Sequence, residues 1–215
     1  MFRRHISSGL IVAMLFIIGG KISFAVPILD QPFDPGLEPT LSSGIDFDIP
    51  KAQTFTVGIA GTLTKIDIDI ARQGAEPLLF DLRATRGAGV PIESDTMTLA
   101  ALTIPTASIP ITRGFFSIDI STFSIDVMRG DVLAIVLRDP TPGTDYVWFG
   151  GIGDPYILGA HYFRNLSAGF PTWTLVDSSD VGFKTFIEPI PEPSPLLLLG
   201  LGLGVLAGFR GKRLL

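Results

Sequence analysis

The pentapeptide Ile66-Asp67-Ile68-Asp69-Ile70 decides the fold class, because apolar and acidic residues alternate along it. Ile45-Asp46-Phe47-Asp48-Ile49 and Phe116-Ser117-Ile118-Asp119-Ile120 alternate in the same way. Successive side chains of a β-strand point to opposite faces, so this period of two predicts strands with one buried and one hydrated face. We expect the aspartates on the hydrated faces to serve solubility and to protect sheet edges.

Short strand-like segments fill the rest of the middle of the chain. Glycine- and proline-containing turns separate them, and no stretch of helix length shows a period of 3.6 residues. We therefore predict an all-β fold over residues 44–190, an antiparallel β-sandwich or jelly roll. Residues 26–43 are rich in proline and are predicted to form an extended lead-in. The further strand candidates are residues 52–57, 78–84, 132–137, 146–149, 157–163, 172–176 and 181–187.

The N-terminal segment accounts for part of the unusually high mean hydropathy of the chain. The chain has 215 residues, 47% of them hydrophobic and 17% charged, and its mean hydropathy is +0.47. Residues 1–25 place Arg3 and Arg4 before an apolar run and end in Ser23-Phe24-Ala25, the layout of a secretory signal peptide. We predict a signal helix that signal peptidase removes after Ala25, reading the small side chains of Ser23 and Ala25. An uncleaved N-terminal anchor is the alternative.

The C-terminal segment, residues 191–215, has three parts in order. Pro191-Glu192-Pro193 comes first, an apolar run over residues 195–208 follows, and the basic residues Arg210, Lys212 and Arg213 come last. At about 1.5 Å per residue the run reaches roughly 21 Å, which is short for a hydrocarbon core of about 30 Å. We predict a short transmembrane helix, with the positive charge behind it holding that end in the cytoplasm.

Together with the signal peptide, this arrangement resembles the PEP-CTERM sorting signal of Gram-negative bacteria, and the resemblance covers residues 191–215. It implies an inner-membrane-anchored precursor. It also implies that an exosortase recognises Pro191, Glu192 and Pro193 and removes the tail. The mature protein would then reach the cell surface or the extracellular matrix.

The middle of the chain is acidic and contains no cysteine. Residues 26–190 hold ten basic and 20 acidic residues, a formal charge of −10. Such a surface repels phosphate backbones, so we predict no nucleic-acid partner. Without cysteine, an exported domain has neither disulfides nor a thiolate metal site, and its stability must come from burial.

A second resemblance concerns the middle domain and covers residues 44–187. Its segments 53–56, 61–68, 130–137 and 180–185, with Trp148 and Trp173, occur in an order similar to the jelly-roll domains of exported sorting-signal proteins. Those domains are similar to carbohydrate-binding, galactose-binding-like sandwiches. The resemblance implies the fold but transfers no ligand residues, because such domains bind varied ligands or none known.

Residues suited to catalysis or metal binding are few. His161 is the only histidine beyond the signal peptide, and no Gly-x-Ser-x-Gly motif accompanies it, so we predict a structural or surface role. We predict no catalytic residue and no cofactor. A structural calcium ion stays a candidate, and its carboxylates would be Asp126 with Asp131 or Asp145 with Asp154.

Both tryptophans and all three tyrosines lie between Tyr146 and Trp173. Aromatic rings at a wet surface stack against sugars, and nearby polar side chains bind hydroxyl groups. One hypothesis is therefore a glycan-binding face, and the alternative is that these rings close the core of the sandwich. The candidate glycan-binding residues are Trp148, Tyr156, Tyr162, Trp173 and Asn165.

These observations predict an exported, non-enzymatic β-sandwich protein of the cell surface or extracellular matrix, with exopolysaccharide as the candidate ligand. The expected partners are signal peptidase, exosortase and, during export, the inner membrane. The second hypothesis is a structural matrix protein without a specific ligand. The third is a glycan hydrolase that uses paired carboxylates, although spacing alone selects no pair.

Overall fold

A computed structural model describes residues 26–87, 89–94 and 97–190. Val26–Ile190 forms one compact unit. The predicted signal peptide, with Ser23 and Ala25, and the predicted sorting signal of residues 191–215 lie outside the described residues. Within the described ranges, no helix has the length and apolar character needed to cross a membrane.

The described residues form strands joined by turns, with two short 3₁₀ segments at Thr106–Ser108 and Ser121–Phe123. The strands are β1 Ile28–Phe33, β2 Leu41–Asp46, β3 Lys51–Thr56, β4 Gly61–Arg72, β5 Leu78–Arg86, β6 Val90–Pro91, β7 Thr98–Ile104, β8 Gly114–Asp119, β9 Ile125–Val127, β10 Val132–Arg138, β11 Thr144–Ile152, β12 His161–Asn165, β13 Phe170–Leu175, β14 Ser179–Val181 and β15 Phe183–Pro189.

Two antiparallel sheets pack face to face. The first sheet has the order β1-β15-β4-β11-β14, with β8 and β9 also paired to β4 and β2 paired to β11. The second has the order β13-β12-β3-β10-β5-β6, with β7 paired to β5. Apolar side chains of both sheets form one core, including Ile66 and Ile68 of β4 and Phe55, Phe80 and Leu82 of the facing sheet. The predicted all-β, antiparallel fold is confirmed.

The alternating segment 66–70 lies at the centre of the first sheet rather than at an edge. β15 and β8 pair with opposite sides of β4, placing Asp67 beside Lys184 and Ser117, and Asp69 beside Phe115. Both aspartates are nevertheless buried. The expectation of hydrated, edge-protecting aspartates is therefore wrong for this strand, because side chains of neighbouring strands and the loop after β1 cover its outer face.

The folded unit begins earlier than the predicted boundary at residue 44. Residues 26–43 were expected to be a lead-in, but they contain β1 and the start of β2. β1 pairs with β15 from Ile28 opposite Ile187 to Phe33 opposite Phe183. Phe33 also contributes to the core. The first and last strands of the domain are thus neighbours in one sheet.

A buried polar network crosses the core between the two sheets. Gln53 Nε2 of β3 donates a hydrogen bond of 2.8 Å to Asp180 Oδ1 of β14, and Val181 N donates to Gln53 Oε1 at 2.9 Å. The backbone N–H of Tyr156 donates to Asp180 Oδ2, and the Tyr156 hydroxyl donates to Gln31 Oε1. These contacts supply the hydrogen bonds that buried polar groups require, and they join strands distant in sequence.

Candidate functional site

Two of the aromatic residues predicted to bind glycan lie in the main core. Trp148 has no exposed surface, and its Nε1 donates a hydrogen bond of 2.8 Å to the carbonyl oxygen of Gly182. Tyr156 is buried edge-on against Phe183, with ring centroids 5.0 Å apart. Neither ring offers an open face for stacking, because core side chains occupy both sides.

The other predicted residues lie at the β12–β13 hairpin. Tyr162 and Trp173 are buried in a second apolar cluster with Ala52, Ala134 and Val136. Asn165 Oδ1 accepts hydrogen bonds from the Ser167 hydroxyl and from Ala168 N, which closes the turn of the hairpin. The predicted glycan-binding face in this window thus disagrees with the structure, and the alternative of a core role describes these rings better.

His161 is buried between the two sheets, as a structural residue would be. Its Nε2 lies 3.4 Å from Ser43 Oγ and its Nδ1 lies 3.2 Å from Ser179 Oγ. Burial, followed by the charge of Lys51, lowers its pKa to about 3, so the ring is neutral at physiological pH. The neighbours bonded to this ring are hydroxyl groups, and the 2% exposure of the residue leaves no access for a substrate.

The candidate calcium ligands serve other contacts. Asp126 accepts a hydrogen bond from Thr62, Asp131 from the backbone of Met128, and Asp145 from the backbone of Glu76. Asp154 lies in a turn with a positive φ of 56°. Across residues 26–87, 89–94 and 97–190, no group of three or more His, Asp or Glu side chains is placed to hold a metal ion.

The outer face of the first sheet carries an open concavity with both aromatic and charged side chains. This concavity, the Arg113 cleft, has a volume of about 600 Å³ and is lined by Asp34, Gly36, Leu37, Asp69, Arg113, Gly114 and Phe115. Leu37 is 98% exposed, and Phe115 is half-buried. Strand pairing brings Phe115 of β8 beside Asp69 of β4. The cleft is thus built on the sheet and closed on one side by the loop after β1.

Hydrogen bonds fix the polar wall of the Arg113 cleft. The guanidinium of Arg113 forms a forked ion pair with Asp69, with Nε–Oδ2 and Nη2–Oδ2 distances of 2.9 and 2.5 Å. It also donates to the carbonyl oxygens of Gly36 and Leu37. Such planar forks give precise geometry. Arg113 therefore holds the loop against the sheet and neutralises a buried carboxylate.

A second concavity lies on the same face. The Phe186 cleft has a volume of about 530 Å³ and is lined by Pro27, Thr64, Lys65, Asp119, Ser121, Phe186 and Glu188. Strand pairing places Lys65 between Phe186 of β15 and Asp119 of β8. The Lys65 ammonium lies 3.7 Å from the centre of the Phe186 ring. Beside the Arg113 cleft, the Lys184 ammonium lies 3.7 Å from the centre of the Phe115 ring. The phenylalanine that lines each cleft thus has one lysine stacked on its ring.

The charges on this face are mostly paired with one another. Lys184 lies 3.1 Å from Asp34, and Lys65 lies 3.6 Å from Asp67. The backbone N–H of Gly36, followed by Lys184, lowers the pKa of Asp34, and hydrogen bonds from Ser121 lower the pKa of Asp119. Both carboxylates are therefore ionised at neutral pH. The two clefts and the ion-pair partners of their lining residues contribute five carboxylates and three cations: Asp34, Asp67, Asp69, Asp119, Glu188, Lys65, Arg113 and Lys184.

Neither cleft is evident from the sequence, because the glycan-binding hypothesis rests on the tyrosines and tryptophans and not on the phenylalanines. The sequence pattern that could have indicated them is the presence of phenylalanine together with polar or charged residues at alternate positions of a strand. Phe115 and Ser117 share a face of β8, and Lys184 and Phe186 share a face of β15. Only the strand order brings these pairs together, since β4 lies between β8 and β15.

No family model matches the chain, and no curated protein matches it. Solved structures similar to the chain include two of the protein Cwp84. One contains the cysteine protease and lectin-like domains of Cwp84, a surface layer associated protein of Clostridium difficile, with 14% identity and a TM-score of 0.44, covering 66% of this chain and 32% of that chain. The other is the clostridial cysteine protease Cwp84 after propeptide cleavage, with 11% identity and a TM-score of 0.49, covering 75% of this chain and 40% of that chain. The chain thus spans about a third to two fifths of the length of these proteins.

Proposed function

We propose that the protein is an exported, non-catalytic β-sandwich of the bacterial surface or matrix that binds a neutral exopolysaccharide at the Arg113 cleft. The observation that carries the ligand class is the half-buried Phe115 ring beside ion pairs that are already complete. The Lys184 ammonium covers one face of the Phe115 ring, and the apolar face of a sugar would pack against the remaining exposed surface of the ring. Ionised carboxylates such as Asp34 accept hydrogen bonds from sugar hydroxyl groups.

The charge of this face favours a neutral glycan over an anionic one. A sulfate or uronate group would have to displace Asp69 from Arg113 or Asp34 from Lys184. It would also approach a domain with a formal charge of −10. Hydroxyl groups need no such exchange, since they act as both donors and acceptors. The two antiparallel sheets agree with the jelly-roll, carbohydrate-binding-like class that the sequence resembles.

Binding measurements test this proposal. Affinity electrophoresis would compare neutral polymers (β-1,3-glucan, β-1,4-glucan, galactan and mannan) with the anionic polymer alginate. We expect retardation by at least one neutral polymer and none by alginate. Phe115→Ala should weaken the binding at least tenfold. The matched control Phe170→Ala, at an exposed position on the opposite sheet, should leave it unchanged.

Failure to bind any neutral polymer would favour a structural matrix protein without a specific ligand. New reducing ends after incubation with the bound polymer would contradict the non-catalytic part of the proposal and favour a hydrolase. The two measurements are independent, because retardation in the gel reports binding and new reducing ends report hydrolysis.

The export route is proposed from residues 1–25 and 191–215 alone. Signal peptidase would cleave after Ala25, and exosortase would process the precursor at Pro191, Glu192 and Pro193. Mass spectrometry of the surface-exposed form tests this directly. We expect no peptide from residues 196–215 in the mature protein, and intact peptides from that region would contradict processing.

A further inference from the structure

We infer that the Arg113 cleft and the Phe186 cleft are two subsites for one extended polysaccharide chain that runs along β4. This inference rests on the proposed function and adds the form of the ligand: a linear neutral glycan of several linked sugar units. Two independent contacts carry it, one in each cleft, and both are fixed by the strand register.

The two clefts share one floor. Asp69 lines the first cleft and Lys65 lines the second, and both belong to β4. They have the same outward direction because they are four residues apart on one strand. The distance between them is about 13 Å at about 3.3 Å per residue. A single sugar ring cannot reach both clefts, whereas an oligomer can.

The two clefts also repeat one arrangement of side chains. Each has a half-buried phenylalanine with a lysine ammonium 3.7 Å from its ring centre. In each, the lysine comes from the strand next to that of the phenylalanine or one strand beyond it. Each lysine also approaches a carboxylate, Asp34 in one cleft and Asp67 beside the other. The same apolar and polar groups are thus offered twice to successive parts of a repeating polymer.

The surface between the clefts is polar. Ser117 lies on β8 opposite Asp67, midway between Phe115 and Asp119. Its side chain is exposed and donates a hydrogen bond of 2.6 Å to Asp67 Oδ1. A sugar unit that connects the two subsites would therefore contact the Ser117 hydroxyl group. It would also pass over the side chain of Lys184, which lies opposite Asp67 and reaches across β4 to the Phe115 ring.

A chain-length series tests this inference. Calorimetry would measure the full-length protein with cello-oligosaccharides and laminari-oligosaccharides of two to six units. We expect affinity to rise at least tenfold between the shortest and longest members of the series that binds, because the second contact forms at high effective concentration. Phe186→Ala should remove that rise and leave the affinity for the disaccharide unchanged.

A second variant in the Phe186 cleft and a control variant on the opposite sheet accompany Phe186→Ala. Lys65→Ala changes the Phe186 cleft through a partly exposed side chain, so its effect does not depend on repacking the sheet. Phe170→Ala should leave the whole series unaltered. An affinity that stays constant with length, or a length dependence that survives both Phe186→Ala and Lys65→Ala, would overturn the two-subsite inference while leaving the proposed function standing. Absence of binding at every length, together with no retardation by any neutral polymer, would overturn both.

Discussion

Gln53 and Asp180, which have no exposed surface, connect the two sheets through a hydrogen bond of 2.8 Å between Gln53 Nε2 and Asp180 Oδ1. The second carboxylate oxygen accepts from the backbone N–H of Tyr156. Neutral donors thus solvate the carboxylate in place of water. Burial raises the pKa of Asp180 despite these bonds. The fold therefore has a titratable group at the centre of its polar network.

The pH dependence of Asp180 has a defined sign. Its folded pKa is raised above the unfolded value of 3.8, so the folded state holds a proton that the unfolded chain has already lost. The contribution of Asp180 to stability should therefore decrease as pH rises from 3.8 through the folded pKa. Urea unfolding of the wild type and of Asp180→Asn over this range measures it. The stability of the wild type relative to the variant should fall with pH, and a constant difference would contradict the prediction.

His161 should give the opposite slope. Its pKa is lowered from 6.5 to about 3, so between these values the unfolded chain binds a proton that the buried ring does not. Stability from the neutral ring is complete above pH 6.5 and is lost as pH falls, by up to about 1.4 kcal/mol per pH unit. Urea unfolding at pH 4, 5 and 7 should show a smaller loss in His161→Gln than in the wild type. An equal loss in both would refute the assignment.

Trp148 should matter for stability and not for binding. Trp148→Phe removes the hydrogen bond to Gly182 and part of a fully buried ring. Large-to-small core changes of this kind cost about 2 kcal/mol. We expect that loss in chemical denaturation, with polysaccharide affinity of the folded variant unchanged. If Trp148→Phe instead lost polysaccharide binding without losing stability, the binding site would lie among the tyrosines and tryptophans of residues 146–173.

Arg113 should stabilise the domain through Asp69, whose side chain is only 2% exposed. Arg113→Met leaves that carboxylate without its cation and removes the donors to Gly36 and Leu37. Breaking a buried ion pair from one side costs about 3 kcal/mol or more. The double variant with Asp69→Asn should recover part of the loss. A double-mutant cycle by urea unfolding tests this, and strictly additive effects would argue against coupling.

The fold was predictable where one face of a strand is apolar and the other polar. Segment 66–70 lies within β4 for that reason, and residues 116–119 of segment 116–120 lie within β8. β7 escaped prediction because its small residues Thr98, Ala100 and Ala101 carry little hydrophobic contrast, although Ala100 is buried against the core. β1 was assigned to a lead-in because prolines surround it, yet an outer strand tolerates proline.

The candidate site was less predictable than the fold. Phe115 and Phe186 are 71 positions apart in the sequence. They lie on one face of the sheet only because the strand order is β15-β4-β8. The burial of Asp69 likewise depends on Arg113 and on the loop that it holds against the strand, and Asp67 is covered by contacts with Ser117 of β8 and Lys65. Both features arise from contacts distant in sequence, which local alternation does not encode. Trp148 shows the converse, since a large ring near polar residues still belongs to the core.

The pairing of Ile28 with Ile187 also determines how the domain bears mechanical load. The N-terminal end of β1 and the C-terminal end of β15 lie side by side, because the two strands are antiparallel neighbours. Pulling the two termini of the domain apart would therefore separate β1 from β15 one hydrogen bond at a time. A force between the C-terminal end of β15 and a polymer held on β4 loads a different pair of strands. It acts on the pairing of β15 with β4, because β15 lies between β1 and β4. That force runs along the strands and loads many hydrogen bonds together. A domain tethered through its C-terminal end would therefore resist tension from a bound polymer in its stronger direction.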